Sequence, residues 1–176
     1  MGRERVRSMQ PATAQEPALE RSSEFVLFGG RRRRVEFEGE LRRVWNLDGT
    51  LYAEGRLVDG RRQGVHRSFH ANGAQSTTQT WIDGLREGES LHTADNGLVL
   101  VRGQYRAGYK HGTWERWYAD GTRQSIESWH SDGASQLRHG LCQVWQLGGE
   151  LDLDRSGTYE WGERVLDAHG YPLERD

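Results

Sequence analysis

The sequence predicts an all-β protein, an elongated single-layer antiparallel sheet made of about five β-hairpin repeats. Three observations support this fold class. Glycines recur every 24 residues in three parallel series, an Asp-Gly or Asn-Gly pair is locked to one series, and nothing after residue 34 shows the spacing of an amphipathic helix. The loops are far too short for the crossovers that parallel strands need. We therefore expect about ten antiparallel strands.

The glycine series mark the turns of the repeats. They are Gly49, Gly73, Gly97 and Gly121; Gly60, Gly84 and Gly108; and Gly64, Gly88 and Gly112. Asp-Gly and Asn-Gly pairs supply the positive φ angles of a type I′ turn, so the first series predicts turns of that type. The second and third series bracket loops of the form G-x-x-x-G. The segments between turns have the length of one strand with its frayed ends.

Large apolar side chains recur at two fixed positions of the repeat. The first column holds Leu57, Trp81, Tyr105 and Trp129, and the second holds Trp45, Phe69, Thr93, Trp117 and Trp145. Because neighbouring units pair side by side, residues at equal positions stack along the sheet. We expect these two columns to form the core.

The chain is long enough for one domain, which we divide into three parts. Residues 1–34 read as a mobile, basic leader in which 25–28, "FVLF", form a capping strand over the first unit. Residues 35–162 form the repeat array. Residues 163–176 form a C-terminal cap or tail.

Charge and composition disfavour several classes of protein. Residues 1–34 are basic, but the remainder carries more acidic than basic residues, which argues against nucleic-acid binding. Cys142 is the only cysteine, so an internal disulfide framework is excluded. No apolar stretch reaches the length of a signal peptide or a membrane helix, so we expect a cytoplasmic protein. A membrane surface would have to be contacted through Arg31 to Arg34.

The sequence contains no recognisable catalytic arrangement, and we expect no enzymatic activity, cofactor or metal. Cys142 lies in a strand-like stretch and reads as a half-buried small residue rather than a nucleophile. His66, His70 and His92 could place three imidazoles on one sheet face, as a zinc site requires. Exposed histidines on a hydrated face are the simpler interpretation.

The candidate site is therefore a protein-binding surface. Trp114, Arg116 and Tyr118 are expected on the face opposite Trp117, and two aromatics flanking an arginine are typical of an interface hot spot. His66 and His70 are expected on the same face and complete the partner-binding set. In the alternative, this face is covered by the chain's own tail and Trp114 is buried.

The stretch "GYKHGTWERWYADG" resembles a MORN-type repeat in the variant found in the bacterial YwqK family, whose members are described as antitoxins of toxin-antitoxin systems. The resemblance spans residues ~39 to ~162. It implies a single-layer sheet without an active site, and a bacterial cytosolic protein that neutralises a protein partner such as a cognate toxin. Because MORN-type repeats are also associated with membranes and dimeric assemblies, the alternative is a scaffold or membrane-surface-associated assembly protein.

Overall fold

A computed structural model describes residues 21–28 and 30–173. Every regular element in this part of the chain is a β-strand, and no helix occurs in it. The strands are β1 (Arg21–Phe28), β2 (Arg31–Glu38), β3 (Leu41–Trp45), β4 (Leu51–Val58), β5 (Arg61–Phe69), β6 (Gln75–Ile82), β7 (Leu85–Thr93), β8 (Val99–Arg106), β9 (Tyr109–Trp117), β10 (Arg123–Ser131), β11 (Gln136–Arg138), β12 (Gly140–Val144), β13 (Gly157–Glu160) and β14 (Glu163–Leu166).

The strands form one open antiparallel sheet in which neighbours in the sheet are neighbours in the chain. The order runs from β1 to β10 and continues through β12, β13 and β14, while β11 pairs with β10 beside this path. This architecture confirms the predicted fold class. The expected strand number was too low, because the described chain has 14 strands.

The segment "FVLF" belongs to a longer strand than predicted. β1 pairs with β2 along its whole length, from Arg21 opposite Glu38 to Phe28 opposite Arg31. The hairpin of β1 and β2 therefore spans the boundary that we drew at residue 34. Residues 1–20, which make up most of the predicted mobile leader, lie outside the described residues.

The first glycine series forms a different turn from the predicted one. Gly49 has a φ of 86°, but Asp48 does not have a positive φ. The Gly49 amide donates to the Asn46 carbonyl at 3.1 Å, and the Asp48 carboxylate accepts the Thr50 amide at 2.9 Å. This is a type I turn followed by a left-handed glycine, held by an Asx turn. The type I′ prediction was wrong here, because the Asp side chain serves as a hydrogen-bond acceptor.

Type I′ turns occur instead at the second glycine series. Asp59-Gly60, Asp83-Gly84 and Ala107-Gly108 have positive φ at both residues, and each pair joins two consecutive strands. Two successive positive φ angles match the right-handed twist of the flanking strands, so these loops hold tight hairpins. Glycines of the third series lie within the strands, also with positive φ, and produce β-bulges.

Alternation along the strands gives the sheet two faces, which we name the Trp114 face and the Trp117 face. Registered pairs place the first aromatic column on the Trp114 face and the second on the Trp117 face. A row of buried side chains crosses the Trp114 face, and we call it the buried row. Its members are Val35, Val44, Gln79, Ser90, Trp114, Ser125, Glu127, Cys142 and Val144. Most residues of the two columns are only half-buried. The prediction that the columns form the core was therefore wrong, because the buried row lies beside the first column.

Candidate binding face

Trp114 is held in the core by a bulge and a glycine on the preceding strand. Residues 112–114 of β9 lie opposite the single residue Gly103 of β8, and Gly112 provides the positive φ that this bulge needs. The indole then covers Gly103 so closely that an added Cβ would lie within 3.0 Å of the ring. Its Nε1–H donates to the Gln104 carbonyl at 3.0 Å, and the Tyr105 ring packs edge-on at 4.9 Å.

Trp114 is 3% exposed, so we assign this side chain to the core and not to a partner-facing surface. The alternative interpretation of the sequence also predicted that Trp114 is buried, but it expected the C-terminal tail to cover the ring. Gly103, Tyr105 and the ammonium group of Lys110, which lies 4.9 Å from the ring, surround the indole.

Arg116 lies near the end of β9, and Tyr118 follows this strand directly. Arg116 lies on the Trp114 face between Val101 and Ser125, as the sequence predicts, and is half-buried. The Tyr118 hydroxyl donates to the Trp145 carbonyl at 2.9 Å. The Tyr118 hydroxyl is therefore used within the fold.

His66 and His70 are also tied to the backbone. The His66 ring covers Gly55 as Trp114 covers Gly103, and its Nε2 lies 2.9 Å from the Arg56 carbonyl. Burial, reinforced by nearby arginines, lowers the pKa of His66. The His70 Nε2 lies 2.8 Å from the Thr93 carbonyl. Among the described residues, no group of three or more potential ligands is placed to hold a metal ion.

A row of four basic residues crosses the Trp114 face, and we call it the cation row. Its members lie two residues before the bulge glycine of successive units; they are Arg62, Arg86, Lys110 and Arg138. Each stands over an aromatic ring of the first column, for example Arg62 over Trp81 at 4.5 Å and Lys110 over Trp129 at 4.7 Å. These distances allow cation–π attraction. Cations and rings thus alternate across the sheet.

The two faces differ in how their charges are neutralised. On the Trp117 face, Arg102 and Arg123 both approach the carboxylate of Glu115, and similar pairs occur in other units. On the Trp114 face, Arg138 pairs with Glu127 at 2.6 Å. Within the described residues, the other three members of the cation row have no carboxylate in ion-pair distance. The Trp114 face therefore carries positive charge that the described chain does not neutralise by direct pairs.

The electrostatic surroundings of Lys110 agree with this shortage of negative charge. Burial lowers the pKa of Lys110, and repulsion from Arg116 and Arg138 acts in the same direction. Glu127 opposes them, but this carboxylate is already hydrogen-bonded to Arg138. An anion that reached Lys110 would therefore stabilise its charged form.

A pocket of about 340 Å³ opens on this face beside the first two members of the cation row. Its lining includes Arg62, Arg86, Trp81, Ser90 and His66. The Trp81 Nε1–H and the Ser90 hydroxyl are buried and have no hydrogen-bond partner in the described structure. Buried donors without acceptors are uncommon in native proteins, so the pocket combines cations with two unsatisfied donors.

The basic tetrad Arg31 to Arg34 does not form a single patch. Alternation along β2 places Arg31 and Arg33 on one face and Arg32 and Arg34 on the other. Arg33 is only 6% exposed, because its guanidinium packs 3.7 Å from the Tyr52 ring and donates to Asn46 at 3.0 Å.

Cys142 lies in the buried row and is fully buried, where we had expected half-burial. Burial raises the pKa of its thiol, which leaves less of the reactive thiolate than in a free cysteine. This environment agrees with the packing role that we predicted for Cys142.

The fold and this face define a class: a β-hairpin repeat protein with several arginine–glutamate ion pairs on one face and a basic, aromatic second face that bears a pocket. Comparison with models of protein families gives no match, and no curated protein matches the chain. Within residues 21–28 and 30–173, no helix is long and apolar enough to cross a membrane.

Proposed function

We propose that this protein is a non-enzymatic binding module that neutralises a partner protein in the cytoplasm, in the manner of an antitoxin or immunity protein. The observation that carries the proposal is the asymmetry of charge between the faces. On the Trp114 face, Arg62 and Arg86 stack on aromatic rings and have no carboxylate of the described residues in ion-pair distance, whereas Arg102 and Arg123 of the Trp117 face share the carboxylate of Glu115.

The chemistry of the Trp114 face suits the recognition of another protein. Arginine and aromatic side chains dominate the binding energy of many interfaces. Here Arg86 is held over Tyr105 at 4.9 Å and donates to its hydroxyl at 2.9 Å, so its position is fixed before a partner arrives. Side chains that are already ordered lose less entropy on binding, which favours affinity. The resemblance to MORN-type antitoxins supports the same function.

The alternative function is a MORN-type scaffold or membrane-surface assembly protein, and its membrane contact was expected through Arg31 to Arg34. Because these residues alternate between two faces and Arg33 is engaged within the sheet, the tetrad does not supply the continuous basic patch that this contact needs.

Growth rescue tests the proposed function. The product of each gene adjacent to this one is expressed alone and then together with the full-length protein. We expect one product to arrest growth alone and co-expression to restore growth, with a stable complex on size exclusion. The proposal fails if no adjacent product is toxic and the purified protein recovers no partner.

Trp114→Ala is unsuitable for mapping the interface in this assay because it removes a core residue. A better pair of variants is Arg62→Gln with Arg86→Gln, and Arg61→Gln with Arg106→Gln as the control. All four arginines are exposed, and the control pair lies on the Trp117 face. Only the first double variant is expected to lose rescue.

A further inference from the structure

The cation row has a regular spacing that follows from the sheet. Arg62, Arg86 and Lys110 lie on β5, β7 and β9, so consecutive members are separated by two strands. Neighbouring strands lie about 4.7 to 4.9 Å apart, which places the cations about 9.5 Å from one another. All three occupy the same position relative to the type I′ turn, so the row runs across the strands.

A polyproline II segment repeats with nearly the same period. This helix has three residues per turn and rises about 3.1 Å per residue, so every third side chain returns to the same side after about 9.3 Å. Side chains on one side of a β-strand repeat after about 6.7 Å, which does not match the row. Successive turns of an α-helix repeat after about 5.4 Å and also do not match.

The surroundings of the first two cations fit the other groups of such a segment. Trp81 lies between Arg62 and Arg86, and Tyr105 follows Arg86 on the next strand. Both rings line the pocket, and aromatic side chains are the usual contact surface for prolines in this conformation. A polyproline II backbone makes no internal hydrogen bonds, so its carbonyl groups are free acceptors. The Trp81 Nε1–H and the Ser90 hydroxyl are donors without partners in the described structure.

We propose that the Trp114 face binds an acidic, proline-rich segment of the partner protein in the polyproline II conformation, with a carboxylate at every third residue opposite Arg62, Arg86 and Lys110. This inference rests on the proposed function and specifies its ligand. The positive charge of the cation row favours acidic residues in the ligand. The distance between the cations favours a carboxylate at every third residue.

The test uses the full-length protein and three blocked synthetic peptides. The first consists of four Glu-Pro-Pro triplets, the second has the same composition with its glutamates contiguous, and the third replaces each glutamate by glutamine. Binding is measured by calorimetry and by the indole N–H signals in nitrogen-15 NMR spectra. We expect the first peptide to bind at least about fivefold more tightly than the second, and the Trp81 signal to shift. The glutamine peptide should bind at least about tenfold more weakly than the first.

The two double variants provide the matched control. Arg62→Gln with Arg86→Gln should weaken the first peptide at least about tenfold, while Arg61→Gln with Arg106→Gln should leave binding within about twofold. Arg62→Gln alone, a change at an exposed side chain, gives an intermediate loss and serves if the double variant does not fold. Equal affinity for the first two peptides, equal losses in the two double variants, or no binding of any peptide would overturn the proposal.

Failure of this inference can be separated from failure of the proposed function. If Arg62→Gln with Arg86→Gln still neutralises a toxic partner as well as the wild type, the protein is an antitoxin that uses another surface. If the first peptide binds with the expected spacing dependence but no toxic partner exists, the peptide site stands and neutralisation is not its purpose.

Discussion

Replacing Gly103 by alanine is expected to destabilise the protein, because the added methyl group would collide with the Trp114 ring. The added methyl group would lie within 3.0 Å of the Trp114 ring, so either the indole or the strand must shift. Overpacking of this kind typically costs about 1 to 3 kcal/mol. Expulsion of the indole would cost about 3 to 5 kcal/mol, because a buried aromatic ring is lost. We expect a loss of about 3 kcal/mol, since the ring is also anchored to the Gln104 carbonyl.

A double-mutant cycle isolates the contact. When Trp114 is already alanine, the methyl group at position 103 has no ring to meet, and alanine is favoured over glycine in a strand by about 0.5 to 1 kcal/mol. Gly103→Ala should therefore be neutral or slightly stabilising in that background. The coupling energy between the two positions is expected to be about 3 kcal/mol.

Urea unfolding followed by far-ultraviolet circular dichroism measures all four proteins. Gly97→Ala serves as the control, because Gly97 has a φ of 85° and no atom within 4 Å of an added Cβ. Gly97→Ala should destabilise through backbone strain and show no coupling to Trp114→Ala. If Gly103→Ala costs the same in both backgrounds, the packing of Trp114 on Gly103 is not the cause of the effect.

Three further predictions concern other parts of the sheet. Trp114→Ala should lower the melting temperature more than Trp117→Ala, because Trp114 is 3% exposed and Trp117 is only half-buried. Ala107→Asn should stabilise the protein by about 1 kcal/mol, because Ala107 has a φ of 48° and asparagine tolerates this left-handed conformation better. Burial lowers the pKa of His66 and His92 below 6.5, so between that value and the lowered pKa the unfolded chain binds more protons and stability falls as the pH falls. Changing both histidines to glutamine should flatten the decrease in melting temperature between about pH 7 and 5.

Each of these predictions has a contrary outcome. A larger effect of Trp117→Ala would contradict the assignment of Trp114 to the core. Ala107→Gly should also relieve the strain, though with a smaller gain because glycine is more flexible in the unfolded chain. Destabilisation by both Ala107 changes would contradict the type I′ turn. An unchanged pH slope after both histidine changes would show that other groups cause the loss of stability.

Turn chemistry made the sheet predictable from sequence. Glycine is strongly favoured at left-handed backbone positions, so a periodic glycine series reports a periodic turn. The sequence did not distinguish the two turn types, because Asp followed by Gly suits both the Asx-stabilised turn at Asp48 and the type I′ turn at Asp59.

Which face forms the core could not be predicted from the aromatic columns, because large side chains recur on both faces. A usable signal was present in Gly55 and Gly103, which lie outside the three turn series. Neither has a positive φ, so a close neighbour and not the backbone explains them. His66 and Trp114 are those neighbours, but the bulges that bring them there depend on the paired strand. The cation row was equally visible as a repeated position, yet its lack of carboxylate partners required the structure.

The sequential order of the strands fixes a regular spacing along the sheet. Because each repeat unit adds two strands beside the previous pair, the backbone fixes the distance between equivalent side chains in every unit. Duplication or loss of one unit of 24 residues, such as residues 73–96, would lengthen or shorten the surface by two strands. The spacing between equivalent side chains in the other units would not change. For the proposed polyproline II segment, the number of repeat units would then set how many of its turns the face can contact.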